Sequence, residues 1–512
     1  MMQIEKECDS VMKQETMQAL DNLKHLEQTL AAYNHAMGVI YLDASTAAPK
    51  GTYEGRGQTM GVLSKILYDL LASEKNGEIL AVLEADMDAL APQDRREVEM
   101  LRKEYDQIHR IPADEYVAYN VLLNEAQMVW EKAKNENDFE SFAPYLEKVV
   151  EYKRKFAGYY HPEMKPYDAL LNEYEEGLNM QTLDTFFEQL RGTIVPLLAK
   201  IQNSKPVDDS FLYKHYPADK QRIFSDYLMD VLGLDRSYCG IAETEHPFTT
   251  GFNNKDIRIT THYYEDNVAS SMYSVIHEGG HALYELGCDD CYNYTFLTGG
   301  VSMGIHESQS RFYENLIGRS EAFIQSIYPK MLELFPEQLA GVSANQFYRA
   351  VNKAEPSLIR TDADELSYCL HIMVRYELEK RMIEGTLKIG DVPAAWNTLY
   401  KEYLGIDVPS DQMGCLQDTH WAGGMIGYFP SYALGSAYGP QMLRCMEKAV
   451  GDIWTDVGKG DLNKVTGWLK ENIHRHAGFY KPGTLFENVC GKFDPAFYTE
   501  YLTEKFTKLY DL

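Results

Sequence analysis

Residues 270–287 read SSMYSVIHEGGHALYELG, and within them His277, Glu278 and His281 form an H-E-x-x-H string. The apolar residues recur three and four positions apart, a spacing that predicts an amphipathic helix. Two histidines four positions apart leave the same face of such a helix, so both can bind one metal ion. Glu278 follows the first histidine and can reach the open side of that ion, where it would take a proton from water.

Glycines interrupt the same helix at three positions. Gly279 and Gly280 each cost a helix about 1 kcal/mol relative to alanine. We therefore expect a substrate or another backbone to approach the helix closely beside the two histidines. Gly287 fits the C-terminal position of the helix, where a left-handed residue is favoured.

A catalytic zinc site needs a third protein ligand. The candidates downstream of the string are Glu285, Asp289, Asp290, His306 and Glu307. Glu285 would come from the same helix and would crowd one side of the ion. A second helix, which Ser302 can cap, offers a ligand from another direction. We choose Glu307 from this helix, with His306 as the second choice and a surface carboxylate as the alternative interpretation of Glu307.

Composition narrows the class of protein. The 512 residues are 45% hydrophobic, which is ample for a large core. The formal net charge of −28 should repel phosphate backbones, so we expect no nucleic-acid partner. No stretch approaches about 18 consecutive apolar residues, so no membrane span is expected. The N-terminal string MMQIEKECDS does not resemble a secretory signal, and we expect a cytoplasmic location with Cys288 and Cys291 reduced.

The remaining sequence predicts a mostly α-helical protein. Segments 93–110, 115–134 and 179–198 have apolar residues at helical spacing. The best strand is segment 256–264, where β-branched residues alternate with polar ones. We find no linker and no repeat. The sequence thus predicts one large helical body with one small β-sheet near residues 240–265.

Six motifs in this chain resemble those of a known family, the metallocarboxypeptidases of the thermostable carboxypeptidase Taq type (M32). They follow the family's order, and they are HPF at 246–248, DIRIT at 256–260, HEGGH at 277–281, HESQ at 306–309, IRTDAD at 359–364 and GCLQDTHW at 414–421. The segment YFPSYALG at 428–435 also resembles the family. The resemblance extends over nearly the whole chain.

The resemblance implies a gluzincin-like, mostly helical fold with a deep active-site groove. It implies a single domain over residues 1–512, in which a helical part, about 1–200, covers the groove and a part at about 201–512 is catalytic. It also implies one Zn²⁺ per subunit with Glu307 as the third ligand, a homodimer, and release of single residues from peptide C-termini with broad side-chain tolerance. Co²⁺ could occupy the same ligands.

A carboxypeptidase must recognise a free α-carboxylate, for which arginine is suited because it binds carboxylates bidentately. Arg360 is the candidate that matches the family, and Asp362 or Asp364 could orient it. The alternative is an Arg–Asp pair that only ties helices together. Tyr432 could donate a hydrogen bond to the same carboxylate or to the oxyanion.

Other candidate residues surround the expected cleft. His420 fits the role of a donor to the developing oxyanion, with Asp418 orienting it, although a buried, hydrogen-bonded histidine is the alternative. The resemblance assigns His246 and Arg258 to substrate binding, and His246 could equally be an ordinary histidine at a strand end. We expect strand 256–262 to lie along the cleft and to pair with the substrate main chain.

Two alternative functions remain open. One is a zinc-dependent oligopeptidase or endopeptidase with the same metal chemistry. The other is a non-catalytic helical scaffold with a vestigial metal site, against which Glu278 argues because such a scaffold need not keep a general base.

Overall fold

A computed structural model describes residues 12–512 of the chain, so the N-terminal string considered above lies outside the described residues. The protein is 68% helix and 3% strand, which confirms the predicted mostly helical fold with one small sheet. Within residues 12–512, no helix is both long enough and apolar enough to cross a bilayer.

The first part of the described chain consists of helices. They are α1 (Gln14–Thr46), α2 (Tyr53–Leu71), α3 (Glu74–Glu84), α4 (Pro92–His109), α5 (Ala113–Glu136), α6 (Phe139–Tyr160), α7 (Pro166–Tyr174) and α8 (Met180–Gln202). The three helices predicted from spacing correspond to α4, α5 and α8. Pro92 and Pro166 occupy first helical positions, where the missing N–H would have no partner anyway.

A small sheet follows α9 (Ala218–Leu232). Its strands are β1 (Cys239–Glu243), β2 (Thr249–Asn253) and β3 (Asp256–Thr261), in the order β1-β3-β2. β1 runs parallel to β3 and β2 runs antiparallel to it. β3 confirms the predicted strand but is the central one. Both of its edges are paired, so the prediction that β3 pairs with a substrate is wrong, and β2 is an edge strand instead.

The remaining helices build the metal-ligand region and its surroundings. They are α10 (Val268–Gly287), α11 (Met303–Arg311), α12 (Glu321–Leu334), α13 (Ala344–Val351), α14 (Tyr368–Ile383), α15 (Val392–Leu404), α16 (Pro430–Val450), α17 (Trp454–Val457), α18 (Asn463–Asn472), α19 (Pro482–Cys490) and α20 (Ala496–Tyr510). A π-helical segment, Phe312–Gly318, continues α11. Ser302 caps α11 as expected, accepting a hydrogen bond from the Ile305 N–H at 3.2 Å.

Two glycines allow α11 to lie between α10 and α16. A Cβ on Gly280 of α10 would be 2.7 Å from the Cα of Ser310. A Cβ on Gly435 of α16 would be 2.6 Å from the Cβ of Glu307. The close backbone approach that the sequence predicted beside the histidines is therefore the approach of α11, which brings Glu307 towards α10.

Gly287 has a different role from the expected one. It is the last residue of α10 and does not have a positive φ. A Cβ there would be 2.5 Å from the Cβ of His474, so close packing, and not a left-handed turn, requires glycine.

The buried apolar residues form two separate clusters. The larger runs from α5 to the C-terminus and surrounds α10, α11 and α16. The smaller lies within α1, α3, α4 and their connections. No residue of α2 is buried. The division into a covering part and a catalytic part stays a prediction.

Candidate functional site

Two helices bring three potential metal ligands together. Nε2 of His277 and Nε2 of His281, both on α10, each lie 3.7 Å from Oε2 of Glu307 on α11. The three ligand atoms all lie within 4.8 Å of one another. These separations are too long for direct hydrogen bonds, and they suit ligands that share one ion at about 2.0–2.2 Å from each. The three residues therefore fit a single metal ion.

Each histidine is oriented through its other nitrogen. Nδ1 of His277 donates to Oε2 of Glu314 at 2.8 Å. Nδ1 of His281 lies 2.6 Å from Nδ1 of His306, and Nε2 of His306 lies 2.7 Å from Oε1 of Glu285. Because a carboxylate only accepts, His306 donates through Nε2 and accepts from His281 through Nδ1. Both Nε2 atoms of the α10 histidines are thus left with free lone pairs, as metal ligands require.

His306 and Glu285 are therefore not ligands in this geometry. They orient His281 instead, because one ring nitrogen of His306 is hydrogen-bonded to His281 and the other to Glu285. Burial alone would raise the pKa of Glu285, but the hydrogen bonds from His306 and from the backbone N–H of Gly300 outweigh burial and lower it. The second choice for the third ligand was His306, and its position explains why that sequence signal was ambiguous.

Two arginines at the ends of the π-helical segment bind the carboxylates of Glu307 and Glu314. Arg311 donates through Nε to Oε1 of Glu307 at 2.8 Å and through Nη1 to Oε2 of Glu314 at 3.2 Å. Arg319 donates to Oε1 of Glu314 at 3.2 Å. Burial would raise the pKa of Glu314, but Arg311, His277 and Arg319 outweigh it and hold that pKa well below its usual range. Sequence reasoning missed Glu314, although it lies seven residues, or two helical turns, beyond Glu307.

Glu278 lies beside the ligands in a mostly buried position. Its carboxylate accepts a hydrogen bond from the hydroxyl of Thr249 on β2 at 2.6 Å. Burial raises the pKa of Glu278, while His277 and Thr249 oppose that rise. A carboxylate with a raised pKa is a stronger base than an ordinary one, which suits proton abstraction from water. No sequence signal singled out Thr249.

A second polar cluster holds Arg360. Its Nε and Nη2 bond Oδ1 of Asp418 at 3.0 and 2.9 Å. Arg375, which has no exposed surface, donates through Nε to Oδ2 of the same carboxylate at 2.7 Å. Two guanidinium groups thus share one carboxylate, and the cluster keeps a net charge of +1. That charge is complementary to one additional carboxylate.

The expected partners of Arg360 are different from the observed one. Asp362 is exposed, and Asp364 accepts hydrogen bonds from the backbone of Leu366 and Ser367, where it organises the turn before α14. Asp418 orients Arg360 instead. This contact joins positions 58 residues apart, which local sequence cannot indicate.

His420 is surrounded by aromatic rings. Its ring centroid lies 4.5 Å from that of Phe429 and 5.5 Å from that of Tyr428. Asp418 does not orient it as expected, because the 3.9 Å separation from Nδ1 is too long for a hydrogen bond. Nδ1 is buried and has no partner among residues 12–512. Burial lowers the pKa of His420 to about 4, so the imidazole is neutral at pH 7.

Tyrosine side chains surround Arg360, and one of them, Tyr368, links the arginine cluster to the metal ligands. The guanidinium of Arg360 lies 5.3 Å from the ring centroid of Tyr432 and donates to the hydroxyl of Tyr368 at 3.3 Å. The guanidinium of Arg311, which binds Glu307, lies 4.5 Å from the ring centroid of Tyr368. Sequence reasoning singled out Tyr432 and missed Tyr368. The Arg360 and Glu307 regions therefore adjoin through one aromatic ring.

The remaining sequence candidates lie outside these contacts. His246 is exposed in the β1–β2 connection. Arg258 is on β3, exposed, and paired with Asp256. Its neighbours Ile257 and Ile259 face the core, so Arg258 points to the opposite face of the sheet. Their roles in substrate binding stay predictions.

The H-E-x-x-H helix, a third ligand on a second helix and a buried glutamate beside them define the class of metallopeptidases. The chain belongs to the carboxypeptidase Taq (M32) metallopeptidase family, whose model matches residues 22–506. It is 39% identical to "Carboxypeptidase 1" of Bacillus subtilis (strain 168) over 488 residues, 95% of this chain and 97% of the relative. It is 35% identical to "Thermostable carboxypeptidase 1" of Thermus thermophilus over 506 residues, 96% of this chain and 99% of the relative.

The fold is likewise similar to that of a solved family member. The crystal structure of the M32 carboxypeptidase from Deinococcus radiodurans R1 aligns with a TM-score of 0.93 and 35% identity, covering 97% of this chain and all of that one. The family resemblance predicted from the motifs is thereby confirmed, and the chain is placed among metallocarboxypeptidases, which are hydrolases.

Proposed function

We propose that the protein is a zinc-dependent carboxypeptidase that releases single amino acids from the C-termini of peptides with broad side-chain tolerance. The observation that carries this proposal is the position of the arginine cluster with charge +1 next to the three ligands. A peptide whose α-carboxylate binds Arg360 would present its last peptide bond towards Glu278, His277, His281 and Glu307. The nature of the metal follows from the donor set, because two imidazoles and one carboxylate are typical of catalytic zinc.

Each residue has a defined task in the proposed reaction. A zinc ion held by the three ligands would act as a Lewis acid that polarises the scissile carbonyl and lowers the pKa of water. Glu278 takes a proton from the attacking water and gives it to the leaving amine. Thr249 fixes the orientation of that carboxylate through its 2.6 Å hydrogen bond. Arg360 binds the terminal carboxylate, while Asp418 and Arg375 hold its guanidinium in place.

His420 and Tyr432 are proposed as donors to the oxyanion and to the substrate carboxylate. Both side chains are mostly buried. Burial raises the pKa of Tyr432, so its hydroxyl keeps its proton at pH 7. His420 is neutral at pH 7, and its imidazole still has one N–H to donate. Broad tolerance is consistent with an edge strand, β2, that adjoins Glu278 through Thr249, because main-chain pairing does not select particular side chains.

The decisive experiment compares two versions of the same peptide, one with a free C-terminus and one with a C-terminal amide. Products are identified by mass spectrometry. A carboxypeptidase gives a ladder of single-residue losses from the free acid and nearly none from the amide. An endopeptidase cleaves both at internal bonds, and a non-catalytic scaffold cleaves neither.

We also propose a homodimer in the cytoplasm. The support for a dimer is α2, which contributes no buried residue and exposes Tyr53 and Val62 at 72% and 62%. Light scattering tests it: Val62→Glu should convert a dimer into a monomer, whereas Lys65→Glu on the same helix should not. A monomeric unmodified protein would refute the dimer.

The support for a cytoplasmic location comes from the seven described cysteines, all of which are free.

A further inference from the structure

A cavity of about 700 Å³ lies between α12, α16 and α20, on the far side of the π-helical segment from the metal ligands. Leu316 of that segment lines the cavity, while Glu314, two residues earlier, contacts His277. The lining contains none of the residues assigned above to metal, water activation or substrate carboxylate. The cavity is therefore a second site, separated from the first by the thickness of one helix.

The walls of the cavity suit an aromatic or branched apolar group. Tyr348, Trp454, Phe497 and Tyr501 all line it, together with Leu443. The Trp454 ring is held by a 2.9 Å hydrogen bond from Nε1 to Glu447, so its face is fixed. A volume of this size is typical of sites for small organic ligands, which occupy about 300–1,000 Å³.

Two basic side chains, Lys505 and Arg319, form the floor of the cavity. The side chain of Lys505 is 91% buried, and its ammonium group donates to Glu365, to the hydroxyl of Tyr501 and to the carbonyl of Asn315. Arg319 lies beside it. Their carboxylate partners, Glu365 and Glu314, are behind these side chains and do not line the cavity. Arg319 uses two of its five N–H donors, on Glu314 and on the carbonyl of Val351, within the described residues. Its guanidinium therefore has donors left for a ligand.

The acidic residues at the rim are each paired with a basic residue, just as the two basic residues of the floor are each paired with a carboxylate. Glu321 lies 3.2 Å from Lys508. Glu447 and Glu504 both lie 3.5 Å from Arg444. The N-terminus of α12 also faces the cavity and adds a partial positive charge.

We propose that this cavity binds a small organic anion with an aromatic or branched apolar body, with the anionic group on the free N–H donors of Arg319 near the N-terminus of α12 and the apolar body against Trp454 and Phe497. The bound anion also affects the metal-binding residues, because Arg319 contacts Glu314 and Glu314 contacts His277. An anion on Arg319 weakens its neutralisation of Glu314, which then accepts more strongly from His277 and holds that imidazole more firmly on the metal. The cavity is thus a regulatory site.

Isothermal titration calorimetry on the zinc-loaded protein tests the site with 2-naphthoate and its neutral analogue, 2-naphthamide. We expect one cavity site for the anion and binding at least tenfold weaker for the amide. Ala322→Trp fills the cavity from α12 and should abolish this binding, while the matched control Leu332→Trp, exposed on the same helix, should not. Arg360→Met removes the substrate anchor and should keep the cavity site, which separates it from naphthoate bound at the substrate position.

Other results would overturn the proposal. Equal affinities for naphthoate and naphthamide would rule out recognition of the anionic group by Arg319. Binding that survives Ala322→Trp, or that disappears with Arg360→Met, would assign the anion to the substrate site. Absence of binding, with a shift from dimer to monomer in Ala322→Trp, would make the cavity a contact between two copies of the chain.

The coupling has its own measurement, the rate at which a chelator removes zinc. Saturating naphthoate should slow zinc release at least twofold in the unmodified protein and leave Ala322→Trp unchanged. Equal release rates with and without naphthoate in the unmodified protein would refute the regulatory role.

Discussion

Replacing Arg360 with methionine tests the proposed direction of attack on the substrate. The change removes the guanidinium group that is proposed to bind the substrate carboxylate. It also lowers the charge of the cluster from +1 to zero, because Arg375 and Asp418 remain paired. Asp418 keeps its hydrogen bond and ion pair with Arg375, so the variant should stay folded. Arg360→Lys is the matched control, since it keeps the charge but not the bidentate geometry.

The expected loss follows from the hydrogen bonds that Arg360 would give the substrate. Two charge-assisted hydrogen bonds at about 1.5–3 kcal/mol each contribute about 3–6 kcal/mol. Each 1.4 kcal/mol is about tenfold, so kcat/KM should fall by about 10²–10⁴ in Arg360→Met. Arg360→Lys keeps one point charge and loses about half of this free energy.

The assay measures kcat/KM on a peptide with a free C-terminus and on its amide, with zinc content determined for every variant. For the methionine variant, cleavage of the free acid should fall to the level of the amide, because the carboxylate no longer contributes. A variant that retains zinc and cleaves the free acid within threefold of the unmodified protein would refute the role of Arg360.

Four further outcomes are expected. Glu278→Gln should retain zinc and lose about 10²–10⁴-fold in kcat, and unchanged turnover would exclude Glu278 as the base. His306→Gln should weaken zinc binding about 10–100-fold in a competition titration, because it no longer fixes His281; unaltered affinity would argue against this support. Gly280→Ala places a Cβ against the backbone of α11 and should cost about 1–3 kcal/mol by thermal unfolding, whereas the control Gly192→Ala, with open space around it, should not destabilise. Burial raises the pKa of Glu175 to about 7, so the unfolded chain ionises this group near pH 4.5 and the folded one near 7. Stability therefore falls by about 3 kcal/mol as the pH rises from 4.5 to 7, and the Tm of Glu175→Gln relative to the unmodified protein should rise over that range; a constant difference would contradict the shift.

Helices were predictable wherever one apolar face repeats over several turns. Segments 93–110, 115–134 and 179–198 match α4, α5 and α8 because a helix that packs on one side needs this spacing. The strand at 256–261 was found by its β-branched residues, but its central place in the sheet was not. Strand order depends on which segments meet in space, and periodicity contains no information about that.

The supporting residues of the site show the same division. Four supporting residues contact site residues that are distant in sequence. Thr249 bonds Glu278, 29 positions away, and Glu314 bonds His277, 37 positions away. Arg375 bonds Asp418, 43 positions away, and Tyr368 bonds Arg360, 8 positions away. Polar residues of these types occur throughout the chain, so nothing local marks them. Gly287 was interpreted as a turn for the same reason, because only the packed structure contains the His474 side chain beside it.

The sequence by itself determined the helix with His277, Glu278 and His281, since helical spacing alone puts both imidazoles on one face. It also indicated the family, through the order of its motifs. Only the tertiary structure decided that Glu307 joins His277 and His281, while His306 hydrogen-bonds His281 from behind. It also decided that Asp418 neutralises one of the two charges of Arg360 and Arg375. The physical reason is that a side chain finds its hydrogen-bond and ion-pair partners on elements that are distant in sequence. These partners determine which imidazole nitrogen keeps a free lone pair and whether a group of charged side chains has a net charge.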